Sequence, residues 1–270
     1  MLDKVMIGRY LQSDSFIHTL DARTKLVAAF VYIILIFAAN NLPTYGLFAA
    51  FLLLGIALSR VSLSIYLNSM RPLMWLLIFS VVLQVLFVQG GDVYFSWGII
   101  NISSIGLLNG LYIFLRFTLV ILMSTLLTLT TAPLELADAI EHLMNPLKKL
   151  NVPVHEIALM LSIALRFVPT LMDEAQKIMN AQRARGSEFG EGNIIKQIKA
   201  IVPILVPLFV SSFNRADELA TAMESRGYHG SVGRTKYRVL TYGKKDYIVL
   251  ASTAFLVVLV IVVSMYATTV

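Results

Sequence analysis

Two short segments carry the side chains best suited to gripping another molecule. Ala181-Gln182-Arg183-Ala184-Arg185-Gly186 and Ala222-Met223-Glu224-Ser225-Arg226-Gly227 both read Ala-x-x-small-Arg-Gly, with Arg185 and Arg226 41 positions apart. A guanidinium is a planar fork of donors that meets a carboxylate through two parallel hydrogen bonds. Small neighbours (Ala184 and Gly186, Ser225 and Gly227) let the backbone come close to a partner. One reading is a pair of helix caps, because Gly adopts a left-handed conformation cheaply and Arg suits the negative end of a helix dipole. The other reading is docking, in which each Arg enters a groove and meets an acid there. Duplication favours docking, and two tips imply two grooves, hence a dimeric partner of approximate two-fold symmetry.

Other candidate chemistry fails on spacing. Gly230-Ser-Val-Gly-Arg-Thr-Lys236 lacks the Gly-Lys-Ser/Thr ending of a phosphate loop. His155-Glu156 starts like a zinc-protease motif, but no second His follows, and the four histidines are scattered. Asn101-Ile102-Ser103 fits a glycosylation acceptor that arises easily by chance. There is no cysteine, so disulfides, thiolate metal sites and a Cys nucleophile are excluded. No catalytic residue set, metal site or cofactor is predicted. Arg116 sits inside a long apolar run, which makes it a candidate functional residue by default or a side chain paired with a helix carbonyl.

The elements that position these tips follow from composition. Of 270 residues, 57% are hydrophobic and 14% charged, against about 25% charged in soluble domains. The bilayer is the solvent that suits such a chain, and the net charge of +6 then reflects loop placement rather than nucleic-acid binding. Residues 26–59 hold no charge, which is too long for one crossing, and Asn40-Asn41-Leu42-Pro43 divides them. Hydropathy predicts five spans, at about 25–39, 43–59, 72–88, 105–131 and 247–267. The opening residues, with Asp3, Asp14 and Asp21, are not expected to be a cleavable signal.

Basic residues orient the spans. Lys4, Arg9, Arg23 and Lys25 precede the first span, Arg60 and Arg71 lie between the second and third, and fifteen more lie within 132–245. Alternating spans puts all of these on one face, which the positive-inside rule makes cytoplasmic. The N-terminus is then inside and the C-terminus outside, in a multi-pass plasma-membrane protein. The predicted organisation is an all-α fold: four spans in 1–131, a cytoplasmic helical segment in 132–245 and a last span in 246–270.

Within the cytoplasmic segment, Leu136, Ile140, Leu143, Leu147 and Leu150 form one amphipathic stripe, with Pro146 set to kink or end the helix. A second helix is predicted from about Val154 to Arg185, a glycine-rich break at Gly186, Gly190 and Gly192, a third helix over about 193–213 and a polar one over about 215–226. Ala200–Phe213 is apolar but short and holds Pro203 and Pro207, so it is expected at an interface rather than across the membrane.

Four spans, a helical insert ending in two Arg motifs, and a final span resemble the T component of energy-coupling factor transporters across essentially the whole chain. Ala184-Arg185-Gly186 and Ser225-Arg226-Gly227 are similar to that family's paired motifs, with Ser225 where Ala is commoner. Tyr10-Leu11-Gln12-Ser13-Asp14-Ser15 and Leu20-Asp21-Ala22-Arg23-Thr24-Lys25 look like its N-terminus. The resemblance implies a non-catalytic coupling subunit of an ABC-type importer for vitamins or metal ions. Its implied partners are two cytosolic ATPase subunits, docked by Arg185 and Arg226, and a small membrane substrate-binding subunit held against the apolar faces around 136–150 and 194–213. The competing class is a permease or channel that binds solute itself, which normally places paired charges or broken helices at midplane.

Overall fold

The computed structural model describes residues 10–11, 13–88, 90–97, 100–187, 193–230 and 240–267. Lys4, Arg9, Gln12, Gly190, Gly192 and the stretch 231–236 of the phosphate-loop-like segment lie outside them. Among the described residues the chain is helical apart from one hairpin. Its helices are α1 (Ala22–Phe37), α2 (Leu42–Ser59), α3 (Leu63–Phe87), α4 (Ser104–Thr130), α5 (Pro133–Met144), α6 (Val154–Ala184), α7 (Ile194–Ser225) and α8 (Lys244–Ala267). Six of these eight, α2, α3, α4, α6, α7 and α8, are long and apolar enough to cross a membrane. The helices group into two compact units, one built from α1–α4 and α8, the other from α6 and α7.

The bundle of α1–α4 and α8 has the chemistry of a structure in lipid. Its core joins Tyr32 and Ile36 of α1, Phe48 and Leu52 of α2, Tyr66 of α3, Leu119 and Met123 of α4, and Leu256 of α8. Phe30, Ile34, Trp75, Phe79 and Phe255 point outward and are largely exposed. Without water to serve them, polar groups must find partners inside the protein. Tyr32 Oη donates to Phe48 O at 3.1 Å, Tyr45 Oη to Ala39 O at 3.1 Å, and Tyr66 Oη lies 3.0 Å from Ser59 Oγ. The hydroxyls of Thr125, Thr128 and Thr130 turn back on carbonyls four residues earlier.

Two glycines let α3 and α4 approach closely. Side chains at Gly106 and Gly110 would meet Val88 O at 3.0 Å and Val85 Cγ2 at 2.9 Å, so α3 and α4 pack through a small-xxx-small face. Between these helices the chain makes an antiparallel hairpin of β1 (Val93–Trp97) and β2 (Ile100–Ser103). That hairpin has no counterpart among the predicted elements. Helix α3 also begins nine residues before the expected Pro72, which the helix carries in its interior.

The second unit contains a further correction. The predicted third and fourth cytoplasmic helices are one 32-residue helix, α7, with Pro203 and Pro207 inside it. The amphipathic helix predicted to Leu150 is α-helical to Met144 and tightens to a 3₁₀ turn over Asn145–Leu150, with Pro146 near its start.

Candidate functional site

The two Arg motifs close α6 and α7 in the same geometry. Arg185 is the C-cap of α6; Gly186 N donates to Arg183 O at 2.9 Å and Ser187 N to Gln182 O at 3.0 Å. At the end of α7, Gly227 N donates to Glu224 O at 2.9 Å and Tyr228 N to Met223 O at 3.0 Å. Both are Schellman closures, which need a left-handed residue just past the cap. Gly186 and Gly227 supply it, with φ of 87° and 75°. Added Cβ atoms would meet nothing within 4 Å at either glycine, so backbone conformation and not crowding within the chain demands Gly. Ala184, Arg185, Ser225 and Arg226 are exposed. Neither the Arg185 nor the Arg226 guanidinium has a hydrogen-bond or ion-pair partner among the described residues.

The cap reading is therefore correct as geometry, and it presents each guanidinium at the outermost turn of a long rod. The rods brace one another. Glu174 of α6 accepts from the hydroxyl of Ser211 and from Arg215 Nη2, the latter at 3.1 Å. Arg215 also sits 5.7 Å from the Phe167 ring centroid. Pro207 has no N–H, which leaves the carbonyl of Pro203, four residues earlier, without its helical donor. Gln182 Nε2 of α6 donates to that oxygen at 3.4 Å.

These contacts fix direction. Phe167, Glu174 and Gln182 ascend α6 while their partners Arg215, Ser211 and Pro203 descend α7, so the helices run antiparallel. Arg185 and Arg226 then lie at opposite ends of the pair, about 40 Å apart along its axis at 1.5 Å per residue. Sequence reasoning found both tips but missed Glu174, Ser211, Arg215 and Gln182. The signal for them was weak: Ser211 and Arg215 are spaced i, i+4 on one face of α7.

The same unit carries exposed apolar stripes. On α7, Ile201, Leu205, Phe209 and Phe213 recur every four residues and are all exposed; Leu143, Leu147 and Leu150 are exposed in and after α5. His155 Nδ1 lies 3.3 Å from Glu141 Oε1. Among the described residues no three His, Cys, Asp or Glu side chains gather as a metal set.

Arg116 belongs to the bundle. Its Nη2 donates to Ala39 O at 3.0 Å and its Nε to Tyr45 Oη at 3.2 Å, and its guanidinium lies 5.6 Å from the Phe37 ring centroid. It closes the end of α1, a helix of 16 residues, or about 24 Å.

Comparison with known proteins bears on both regions. A family described as cobalt transport protein, CbiQ, matches residues 13–237. The chain is 59% identical over 247 residues to the energy-coupling factor transporter transmembrane protein EcfT of Lacticaseibacillus paracasei, covering 92% of this chain and 94% of that one. It is 54% identical to EcfT 1 of Listeria monocytogenes, over 92% of this chain and 93% of the relative. Identity to EcfT of Bacillus subtilis is 49%, over 96% and 98%.

Proposed function

The chain belongs to the CbiQ cobalt-transport protein family and is the transmembrane, non-catalytic subunit of an energy-coupling factor transporter, and from that premise we propose that α6 and α7 are its coupling rods, each docking one of two cytosolic ABC-type ATPase subunits through Arg185 and Arg226. The observation that carries this reading is the matched pair of tips. Two identical closures, each exposing an Arg, stand at opposite ends of one braced helix pair, a spacing suited to two equivalent grooves on a dimer. In each groove the guanidinium meets a carboxylate, while Ala184, Gly186, Ser225 and Gly227 keep the approach clear.

Helices α1–α4 and α8 form the membrane part, with the N-terminus cytoplasmic and the C-terminus outside. Although α6 and α7 are long enough to cross, Arg166, Asp173 and Glu174 interrupt α6, and α7 carries Arg215, Asp217 and Glu218 in its second half. These charges support a cytoplasmic position for both. The exposed stripe from Ile201 to Phe213, together with the α5 leucines, holds a small membrane subunit that binds the transported vitamin or metal ion. ATPase closure pulls on the two tips and is passed along the rods to that subunit.

Arg185→Glu with Arg226→Glu places two acids against two acids. The double variant is expected to insert in the membrane normally, to lose the ATPase subunits on purification and to lose ATP-dependent uptake. Retention of both ATPases and of uptake would sink the docking role.

A further inference from the structure

The chain leaves the bundle at the end of α4 and re-enters it at the start of α8, and both points are tied to the first turn of α1. At the exit, Lys25 Nζ donates to Thr130 O at 2.8 Å. At the re-entry, Asp246 Oδ1 accepts the Asp21 N–H at 2.9 Å and Oδ2 accepts the Gly243 N–H at 2.8 Å. Arg23 forks onto Asp21, Nε to Oδ1 at 3.1 Å and Nη2 to Oδ2 at 2.8 Å, while its guanidinium lies 4.0 Å from the Tyr242 ring centroid.

By sequence Arg23 and Lys25 count as charges that orient the spans. A charge needed for orientation alone stays hydrated, whereas Arg23, Lys25 and Asp246 are 2%, 6% and 4% exposed. Burial of that degree carries a desolvation cost that a defined set of partners must offset. Here Lys25 meets the segment leaving for α5–α7 at Thr130, Asp246 ties the returning segment to the Asp21 N–H, and Arg23, forked onto Asp21, faces Tyr242 of that returning segment.

We propose that Asp21, Arg23, Lys25 and Asp246 are positioning residues that form a fixed anchor, clamping both roots of the coupling segment to one helix turn so that a pull at the tips moves α6 and α7 rather than unravelling the ends of α4 and α8. The proposal rests on the coupling reading above. An anchor of this kind stays closed through the transport cycle. Loosening it lets ATP hydrolysis run without uptake, and locking it changes nothing.

The test uses the whole transporter in proteoliposomes, reading ATP hydrolysis and uptake together. Lys25→Met and Asp246→Ala, which remove one and two charged, buried hydrogen bonds, are each expected to keep the ATPases bound and hydrolysing while uptake per ATP falls about tenfold or more. For locking, Lys245 Nζ donates to exposed Thr19 Oγ1 at 3.0 Å across the same junction, and the chain has no cysteine of its own. Thr19→Cys with Lys245→Cys, joined by a short thiol cross-linker, is expected to transport as before. Unchanged uptake per ATP in the loosened variants, loss of their ATPases, or arrest of uptake by the cross-link would each overturn the anchor. If the loosened variants do not accumulate in membranes, the cross-link result alone decides. Failure of the docking reading looks different, since it shows in the Arg185→Glu, Arg226→Glu complex and not in these.

Discussion

Arg116 in the bundle and Arg185 and Arg226 on the rods are the same side chain in opposite situations. Arg116 has Tyr45 and Ala39 of its own chain for partners, while the other two have none among the described residues. The apolar side chains divide in a parallel way. Exposed Phe30 and Trp75 face outward from a bundle whose Tyr32, Tyr45 and Tyr66 hydroxyls and Arg116 are matched internally, which suits hydrocarbon. Exposed Phe209 and Phe213 share a helix with Arg215, Asp217 and Glu218, so their stripe lacks a solvent that suits it and calls for protein. The paired arginine thus serves the chain's own fold, and the two unpaired ones are those that the docking proposal assigns to partners.

The comparison breaks most readily at the tips. Arg185→Ala and Arg226→Ala, taken singly, should each weaken ATPase binding by about 2–5 kcal/mol, the usual cost of truncating one side of a buried charge pair. Binding assays on each variant check this, and equal losses would support two equivalent grooves. Arg116→Met should act the other way round, lowering the thermal stability of the detergent-solubilised chain by about 1–3 kcal/mol because Ala39 O and Tyr45 Oη each lose a charged donor, Ala39 O keeping only that from Tyr45, with ATPase binding intact. Loss of binding without loss of stability would reverse the roles assigned to the two regions.

Smaller effects sharpen the picture. Ala at Gly186 or Gly227 must hold a left-handed conformation, costing about 1 kcal/mol. The expected result is fraying at that tip alone, measured by hydrogen exchange, with a correspondingly modest loss of docking. The smallest effect is acid sensitivity of the rod pair. The Ser211 hydroxyl, and after it Arg215, hold the Glu174 carboxyl below its ordinary range. A carboxyl with a depressed folded value stabilises fully above the ordinary glutamate range, near pH 4.3, and that contribution fades as pH falls through the folded value. Glu174→Gln should remove the dependence, which a pH series of α6–α7 exchange protection would detect.

Much of this was legible in the residues. Charge-free runs and the Pro43 break located α1, α2, α4 and α8 to within a few positions, because crossing hydrocarbon is a demand on length and polarity that composition reports directly. The Arg-Gly repeat located both tips. Pro72 misled the start of α3 because proline is taken as a helix start, and this helix carries it inside. The change from apolar to polar near Phe213 made one helix look like two, although its period continues unbroken through Arg215. Direction and spacing of the tips were out of reach, since they depend on Gln182 meeting Pro203 and Glu174 meeting Ser211, pairings with no local signature. The buried state of Lys25 and Asp246 was hidden for a similar reason: a charge beside a span reads as hydrated until its neighbours are known.

Proline 207 removes one rung from the backbone ladder of α7, and Gln182 restores it from the neighbouring helix. Helix α7 is therefore not a stiff strut when taken by itself. Under the coupling proposal, load applied at either end would pass through a cross-braced truss with one of its joints at Pro203.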